Sequence, residues 1–243
     1  MGRLEGKIAI ITGGGKGIGK GIAQAFSKEG AKLVIASRNL QNLERTAEEI
    51  RAMGGTAHVV PVDVTDEAQV MALFEKTLQA FERLDILVNN AGVFDGGPLE
   101  EMSLETWQKV INVNLTGPFI CSREALKIMK RQKAGRIINI GSISAQMPRV
   151  HSAAYTTAKN GLVGLTRSTA LEGRAFGVTA GCLHPGNVAT ENRQASDEPV
   201  DQEPLMKTED LAMTAVTMAA LPTNVNMLEA IVLPVTQLYL GRG

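Results

Sequence analysis

Short, almost wholly apolar runs alternate with longer amphipathic stretches along this chain, and this alternation restricts its fold more than any other feature. Runs of β-branched residues that are apolar at every position indicate strands buried on both faces. Such strands are typically parallel, and parallel strands need a crossover helix between them. The pattern therefore predicts an α/β fold, with a single doubly wound parallel sheet of about seven strands and helices on both faces.

The predicted elements follow one another regularly until residue 187. The strands are expected at residues 8–12, 32–36, 57–61, 86–88, 136–140, 178–183 and 230–233. The helices are expected at residues 17–28, 40–53, 67–81, 104–130, 153–176 and 209–220, with Thr65 or Asp66 capping the third and Gly117-Pro118 disturbing the fourth. Residues 187–207 contain two prolines and several acidic residues, which favours a mobile loop over a site rather than a linker. We interpret residues 1–243 as a single domain.

Composition excludes several classes of function. The 243 residues are 44% apolar, enough for one substantial core, and the formal net charge is zero. That balance gives no general attraction to nucleic acid or to an acidic membrane surface. No apolar run approaches the roughly 20 residues of a membrane span, and residues 1–7 are too polar for a signal peptide. The cysteines and histidines are scattered, so we expect a cytoplasmic protein without a metal site.

A glycine-rich turn with the sequence TGGGKGIG spans residues 12–19, between the first strand and the first helix. Glycine lets the backbone turn tightly and approach a pyrophosphate, while the helix N-terminus offers free N–H groups and a positive dipole end. In this strand–turn–helix context the motif indicates a dinucleotide site, and a tight turn without a ligand is the alternative. The candidate contacts here are Gly13, Gly15, Lys16, Gly17, Ile18 and Gly19.

The end of the second strand bears on the choice of cofactor. Enzymes that use NAD place an acidic residue there to bind the ribose 2′-hydroxyl, whereas this chain has Ser37-Arg38-Asn39. Arg38 and Lys16 can both face a 2′-phosphate, and an arginine suits bidentate contact with phosphate. Each could also be an ordinary solvated cation. The missing carboxylate and the two cations together predict NADP(H), with Ser37 and Arg38 at the adenosine end.

Three side chains in the second half of the chain suit acid–base chemistry on a carbonyl. Tyr155 and Lys159 are four residues apart and so share one face of a helix, where the ammonium stabilises a phenolate. Tyr155 can then be the acid in reduction and the base in oxidation. Ser142 can donate a hydrogen bond to the substrate oxygen. The Tyr/Lys pair alone is weak evidence, but with Ser142 it indicates hydride transfer between a nicotinamide and a carbonyl or secondary alcohol.

Together with Asn89-Asn90-Ala91-Gly92 and Pro185-Gly186, these motifs make nearly the whole chain similar to the short-chain dehydrogenase/reductase family. The resemblance implies that Asn114 is a fourth catalytic residue, holding a water near the lysine, and that Asn89 supports the sheet. It also implies a homotetramer. The further cofactor contacts that it implies are Asp63, Val64, Asn90, Ala91, Gly92, Tyr155, Lys159, Pro185, Gly186, Val188 and Thr190.

His184 is a departure from the family pattern, because a small residue often precedes the Pro-Gly pair. We expect it to lie apart from the acid–base relay.

Three functions remain open at this stage. The first is an NADP(H)-dependent carbonyl reductase. The second is a 3-oxoacyl-[acyl-carrier-protein] reductase, for which Lys127, Lys130, Arg131 and Lys133 would dock the acidic carrier. Phe176 replaces a basic residue common in that group and disfavours this alternative. The third is a non-catalytic nucleotide-sensing protein, against which the complete set Asn114, Ser142, Tyr155 and Lys159 argues.

Overall fold

A computed structural model describes residues 2–191 and 203–239. Its strands form one parallel sheet with the order β3-β2-β1-β4-β5-β6-β7. They are β1 (Ile8–Thr12), β2 (Lys32–Ser37), β3 (Thr56–Pro61), β4 (Ile86–Asn89), β5 (Gly135–Ile140), β6 (Val178–Pro185) and β7 (Glu229–Val232). The helices are α1 (Gly17–Lys28), α2 (Leu40–Ala52), α3 (Glu67–Phe81), α4 (Leu104–Ile111), α5 (Gly117–Gln132), α6 (Ala153–Gly173) and α7 (Thr208–Ala220). The predicted doubly wound α/β fold is confirmed.

Two apolar clusters cover the two faces of the sheet. Helices α1, α2 and α7 pack on one face, and α3 and α5 pack on the other. Strand β1 shows why its sequence is continuously apolar: Ile11 faces the first cluster, Ile10 faces the second, and all five of its residues are buried. Alternate side chains of a strand point to opposite faces, so a strand covered on both sides cannot alternate apolar with polar residues.

The strand order reverses at β1, which defines where a ligand can bind. From β1 the chain passes outwards to β2 and β3, and then returns to place β4 on the other side of β1. The loops that follow β1 and β4 therefore leave the sheet in opposite directions and open a crevice between them. The glycine-rich turn, Ser37-Arg38, Asp63-Val64 and Asn90-Ala91-Gly92 lie at or just after the carboxyl ends of β1 to β4, and so on this edge of the sheet.

The disturbance expected at Gly117-Pro118 in the helix predicted at residues 104–130 takes the form of a turn of π-helix just before these residues. The segment Asn112–Thr116 separates α4 from α5, and Gly117 donates to the carbonyl of Asn112. Pro118 has no N–H to donate to the carbonyl four residues before it, which belongs to Asn114. The regular helical ladder cannot continue through this point, and the wider turn replaces it.

The remaining predicted boundaries agree with the structure to within a few residues. Asp66 rather than Thr65 caps α3, since its side chain accepts from Gln69 N. Strand β6 extends two residues beyond the predicted end, through His184 and Pro185, because both pair with β7. Of the predicted loop, residues 192–202 lie outside the described part of the chain. No helix among the described residues is long and apolar enough to span a membrane.

Candidate active site

The glycine-rich turn is built by close backbone approach at the ends of β1 and β4. Gly13 has a φ of 66° and donates its N–H to the Ala36 carbonyl at 2.7 Å, while Gly17 has a φ of 54° as α1 begins. These are left-handed conformations that favour glycine. A Cβ on Gly19 would collide with the Gly13 carbonyl oxygen and with the Asn90 amide. Gly19 therefore closes the turn by packing and does not line the crevice.

Thr12 and Asn90 tie this turn to the loop after β4. The Thr12 hydroxyl accepts hydrogen bonds from the N–H groups of Asn90 and Ala91, at 3.0 and 3.1 Å. In return, the Asn90 amide donates to the carbonyls of Thr12 and Gly13, at 3.0 and 3.2 Å. All these groups lie in the loops that follow β1 and β4. Their hydrogen bonds therefore hold the two walls of the crevice at a fixed separation.

A cavity of about 580 Å³ occupies the crevice between these walls. Predicted cofactor residues that line it are Gly13, Gly15, Lys16, Gly17, Ile18, Ser37, Arg38, Asp63, Val64, Asn90, Ala91, Gly92 and Thr190. Predicted contacts that do not line it are Gly19, Tyr155, Lys159, Pro185, Gly186 and Val188. The family resemblance assigns most of the first group to an adenosine and its phosphates, and the cavity is large enough for a substantial part of a dinucleotide.

The part of the cavity beside the ends of β2 and β3 combines cations, amides and one carboxylate. The Arg38 guanidinium is exposed and lies 4.0 Å from the Asp63 carboxylate. Asn39 caps α2 by accepting from Asn42 N at 2.9 Å, and both asparagines line the cavity. The start of α2 thus adds a second helix N-terminus to this edge, where N–H groups and the helix dipole favour an anion.

A carboxylate occupies the N-terminus of α1 in this structure. The Glu191 Oε2 atom accepts the Gly17 N–H at 2.9 Å, although the two residues are 174 positions apart. Thr190 lies beside the same turn, with its methyl group 3.2 Å from where a Cβ of Gly17 would be. An anionic group can therefore reach the Gly17 N–H without steric obstruction. The glycine turn fits a pyrophosphate by the same contact.

Asn89 anchors the site from inside the sheet. It is buried, and its amide donates to Asn139 Oδ1 at 2.8 Å and to the Ser122 hydroxyl at 3.0 Å. The Asn139 amide in turn donates a hydrogen bond to the Thr166 hydroxyl at 2.8 Å. This network joins β4, β5, α5 and α6, which is the sheet support that the family resemblance predicts for Asn89.

Ser142 follows β5 with its hydroxyl already oriented. It is buried, and its Oγ accepts from Ser144 N at 3.1 Å within a short 3₁₀ turn, Ile143–Ala145. Because that contact uses Oγ as an acceptor, the hydroxyl hydrogen can be donated elsewhere. The 3₁₀ turn packs against α6, the helix that carries Tyr155 and Lys159.

Lys159 is a buried cation beside the tyrosine ring. Its ammonium donates to the Ile140 carbonyl at 2.7 Å and lies 5.5 Å from the centroid of the Tyr155 ring. A buried charge requires such a hydrogen bond, and the bond fixes the ammonium at the end of β5, two residues from Ser142. Tyr155 itself is half-buried, and Phe94 meets its ring edge-on at a centroid distance of 5.4 Å.

Asn114 lies in the π-helical turn and is fully buried. Its amide donates to the carbonyls of Val93 and Val110, at 2.8 and 2.9 Å, and its oxygen accepts from Val93 N at 3.3 Å. Both amide hydrogens are thus used within the fold. A water held by this residue, as the resemblance implies, would have to bind its main-chain carbonyl, which Pro118 cannot engage.

The segment after β6 is held by contacts to three parts of the chain. Asn187 donates its N–H to the Gln237 side chain at 2.8 Å, and Gly186 donates to Val232 O at 2.7 Å. Arg149 contacts both Asn187 and Glu203, the latter at 2.8 Å. These contacts fix the start of the predicted loop beside the ends of β6 and β7.

Comparison with known proteins decides the family. A sequence model described as short chain dehydrogenase matches residues 7–201. The chain belongs to the short-chain dehydrogenase family.

Relatives are similar in sequence to this short-chain dehydrogenase over most of its length. An uncharacterized oxidoreductase of Bacillus subtilis is 40% identical over 80% of this chain and 76% of that protein. A 3-oxoacyl-[acyl-carrier-protein] reductase of Synechocystis is 38% identical over 85% of this chain and 83% of that protein. The crystal structure of a metagenomic short-chain oxidoreductase in complex with NADP has a TM-score of 0.85 and 33% identity, covering 97% and 100% of the two chains. The chain is an oxidoreductase of this family.

Sequence reasoning missed three features of the short-chain dehydrogenase site. The cavity contacts of Asn39 and Asn42 were detectable, since an asparagine before a helix is a capping signal. The contact of Glu191 with Gly17 had no local signal. His184, expected apart from the relay, in fact contacts the main chain of Ser142.

Among residues 2–191 and 203–239, no three His, Cys, Asp or Glu side chains cluster as metal ligands.

Proposed function

We propose that this short-chain dehydrogenase is an NADP(H)-dependent reductase of carbonyl compounds, or in reverse a dehydrogenase of secondary alcohols. The proposal depends on one observation: the cavity and the Lys159–Tyr155 pair both lie at the carboxyl edge of the sheet, near the ends of the adjacent strands β4 and β5. A glycine-lined cavity holds anion-binding groups, and the buried Lys159 lies between the end of β5 and the Tyr155 ring.

Each side chain has one task in the proposed reduction. A nicotinamide bound in the crevice would supply the hydride. As negative charge develops on the carbonyl oxygen, Ser142 donates its hydroxyl hydrogen to that oxygen and stabilises the charge. Tyr155 donates a second hydrogen bond and then transfers its proton to the same oxygen. Lys159 stabilises the phenolate that remains, because its ammonium lies beside the ring.

Support for NADP(H) comes from the adenosine end of the cavity. Arg38 and Lys16 both line it, and Ser37 occupies the strand end where an acidic residue would bind a 2′-hydroxyl. A solved structure with 33% identity is a complex with NADP, which agrees with this preference. The proposal has two further parts. Composition suggests that the enzyme acts in the cytoplasm, and the family resemblance suggests that it is a homotetramer.

A carrier-bound substrate is the second candidate, because one relative is a 3-oxoacyl-[acyl-carrier-protein] reductase. Two of the four cations that would dock a carrier are engaged within the fold. Lys127 contacts Glu124 at 2.8 Å, and Lys130 lies 5.0 Å from the centre of the Phe176 ring. These contacts favour a small free carbonyl over an acidic carrier protein.

The test is consumption of NADPH by the purified protein across small ketones, diketones and acetoacetyl thioesters, with NADH in parallel. We expect turnover of ketones with NADPH and little with NADH. Turnover of thioesters well above free ketones would establish the second candidate instead. Absence of turnover with every carbonyl, while NADPH still binds, would favour a nucleotide-sensing protein.

A further inference from the structure

His184 lies next to the proposed site but has no part in the chemistry described so far. It is completely buried near the end of β6, directly before Pro185. Its Nδ1 atom is 3.0 Å from the carbonyl oxygen of Ser142. Its Nε2 atom has no hydrogen-bond partner within the described residues. A fully buried imidazole with a single polar contact calls for an explanation, because burying a polar ring without need is costly.

The contact falls where the pairing of β5 with β6 stops. The last regular pair is Ile140 with Leu183, and Gly141 N still donates to Leu183 O at 2.8 Å. Ser142 lies one residue further on and has left the strand. The His184 side chain thus supplies the next hydrogen bond along the same line and extends the ladder to the main chain of Ser142.

The chemistry of the partner fixes the tautomer. A carbonyl oxygen can only accept, so Nδ1 must carry a hydrogen, and in the neutral ring Nε2 is then the bare nitrogen. This assignment also suits the burial, since an unpartnered acceptor is tolerated inside proteins more readily than an unpartnered N–H. Burial lowers the pKa of His184, which favours the same neutral ring.

Packing holds the imidazole in this position. A Cβ on Gly141 would lie 2.6 Å from His184 Nδ1 and 2.7 Å from Cys182 Sγ. Glycine at residue 141 therefore provides the space in which the ring reaches Ser142. Any larger side chain there would push the ring away from the carbonyl.

We propose that His184 is a positioning residue for the reaction, whose Nδ1–H holds the main chain of Ser142 so that the serine hydroxyl points at the substrate oxygen. This inference rests on the proposed function, because it assumes that Ser142 contacts the substrate. The hydrogen bond from His184 needs to prevent only a small displacement of the Ser142 hydroxyl. A shift of about 1 Å in a catalytic group is enough to lower a rate about 100-fold.

A pair of variants with side chains of the same shape separates the hydrogen bond from packing. His184→Asn keeps an N–H donor on the atom equivalent to Nδ1, whereas His184→Leu has the same branching and no donor. We expect His184→Leu to lower kcat about 10- to 100-fold, with the Kd for NADPH unchanged. His184→Asn should keep kcat within about fivefold of the native enzyme, at a melting temperature close to that of His184→Leu.

Two results would overturn the proposal: equal loss of kcat in both folded variants, which would indicate a role in packing alone, or normal kcat in His184→Leu. Should neither variant fold, nitrogen NMR of the native protein decides, because the proposal requires a protonated Nδ1 and a bare Nε2. A protonated Nε2 would refute it. If the native enzyme reduces no carbonyl at all, the proposed function fails, whereas an active enzyme with unaffected variants refutes only the role of His184.

Discussion

At the scale of single residues, the cofactor preference depends on Arg38. Its guanidinium is exposed at the rim of the cavity and forms an ion pair with Asp63 at 4.0 Å. A contact at this distance between exposed groups contributes little, so the guanidinium can turn to a 2′-phosphate at small cost. Bidentate contact with phosphate is what an arginine at this strand end provides.

Arg38→Ala is expected to raise the KM for NADPH about 10- to 100-fold and to leave the KM for NADH unchanged. The reason is the loss of hydrogen bonds to a charged group, each of which contributes about 1.5–3 kcal/mol. Arg131→Ala removes an exposed arginine from the end of α5, which leads into β5 at the opposite edge of the sheet from the cavity, and serves as the control for surface charge. An equal effect on both cofactors would refute the assignment of Arg38 to the 2′-phosphate.

At the scale of elements, a carboxylate of the chain and the pyrophosphate of the proposed cofactor would compete for the N-terminus of α1. Glu191 accepts the Gly17 N–H that a pyrophosphate would use in the proposed complex. The carboxylate is stabilised there by the free N–H groups and the helix dipole. Cofactor binding therefore has to displace one anion with another.

Glu191→Gln is expected to lower the Kd for NADPH by about two- to fivefold, because a charge at a helix end contributes about 0.3–1 kcal/mol and the neutral amide competes less well. Equilibrium fluorescence titration measures the change. Glu105→Gln removes an exposed carboxylate from the first turn of α4 and should leave the Kd unaltered. A weaker affinity in Glu191→Gln would show that the carboxylate assists binding instead.

The elements also show what could be read from the chain and what could not. The glycine turn and the positions of the strands along the chain were predictable, since residues 12–19 and the apolar runs are local patterns. A disturbance at Gly117-Pro118 was also predictable, but its form, a π turn around Asn114, was not, because one wider turn hardly alters helical periodicity. The contact of His184 with Ser142 joins the end of β6 to a residue just after β5, 42 positions away, so only the register of the sheet reveals it.

At the scale of the whole molecule, burial of His184 links stability to pH. Burial, the largest effect, lowers the pKa of His184, and Lys159 and Arg167 act in the same direction. The hydrogen bond to Ser142 and the charge of Glu229 oppose them. The unfolded chain then binds a proton below its pKa of about 6.5, while the folded chain does not. Stability from this residue is present above that pH and is lost as the pH falls towards the lower folded pKa.

The melting temperature should consequently fall as the pH is lowered from about 7 to 5, and His184→Asn should show a smaller fall. Differential scanning calorimetry at several pH values measures both slopes. Parallel slopes in the two proteins would contradict neutral burial of this histidine. Sedimentation analysis of the same samples tests the homotetramer that the family resemblance predicts.

The most direct test of the account is the turnover of Tyr155→Phe compared with its affinity for NADPH. The substitution removes only the phenolic hydroxyl, and the ring keeps its contacts with Phe94 and Lys159. We predict a fall in kcat for ketone reduction of about 100- to 10,000-fold, as expected for loss of a general acid, with the Kd for NADPH within about twofold of the native value. Substantial residual turnover would contradict the assignment of Tyr155 as the proton donor and with it the proposed mechanism.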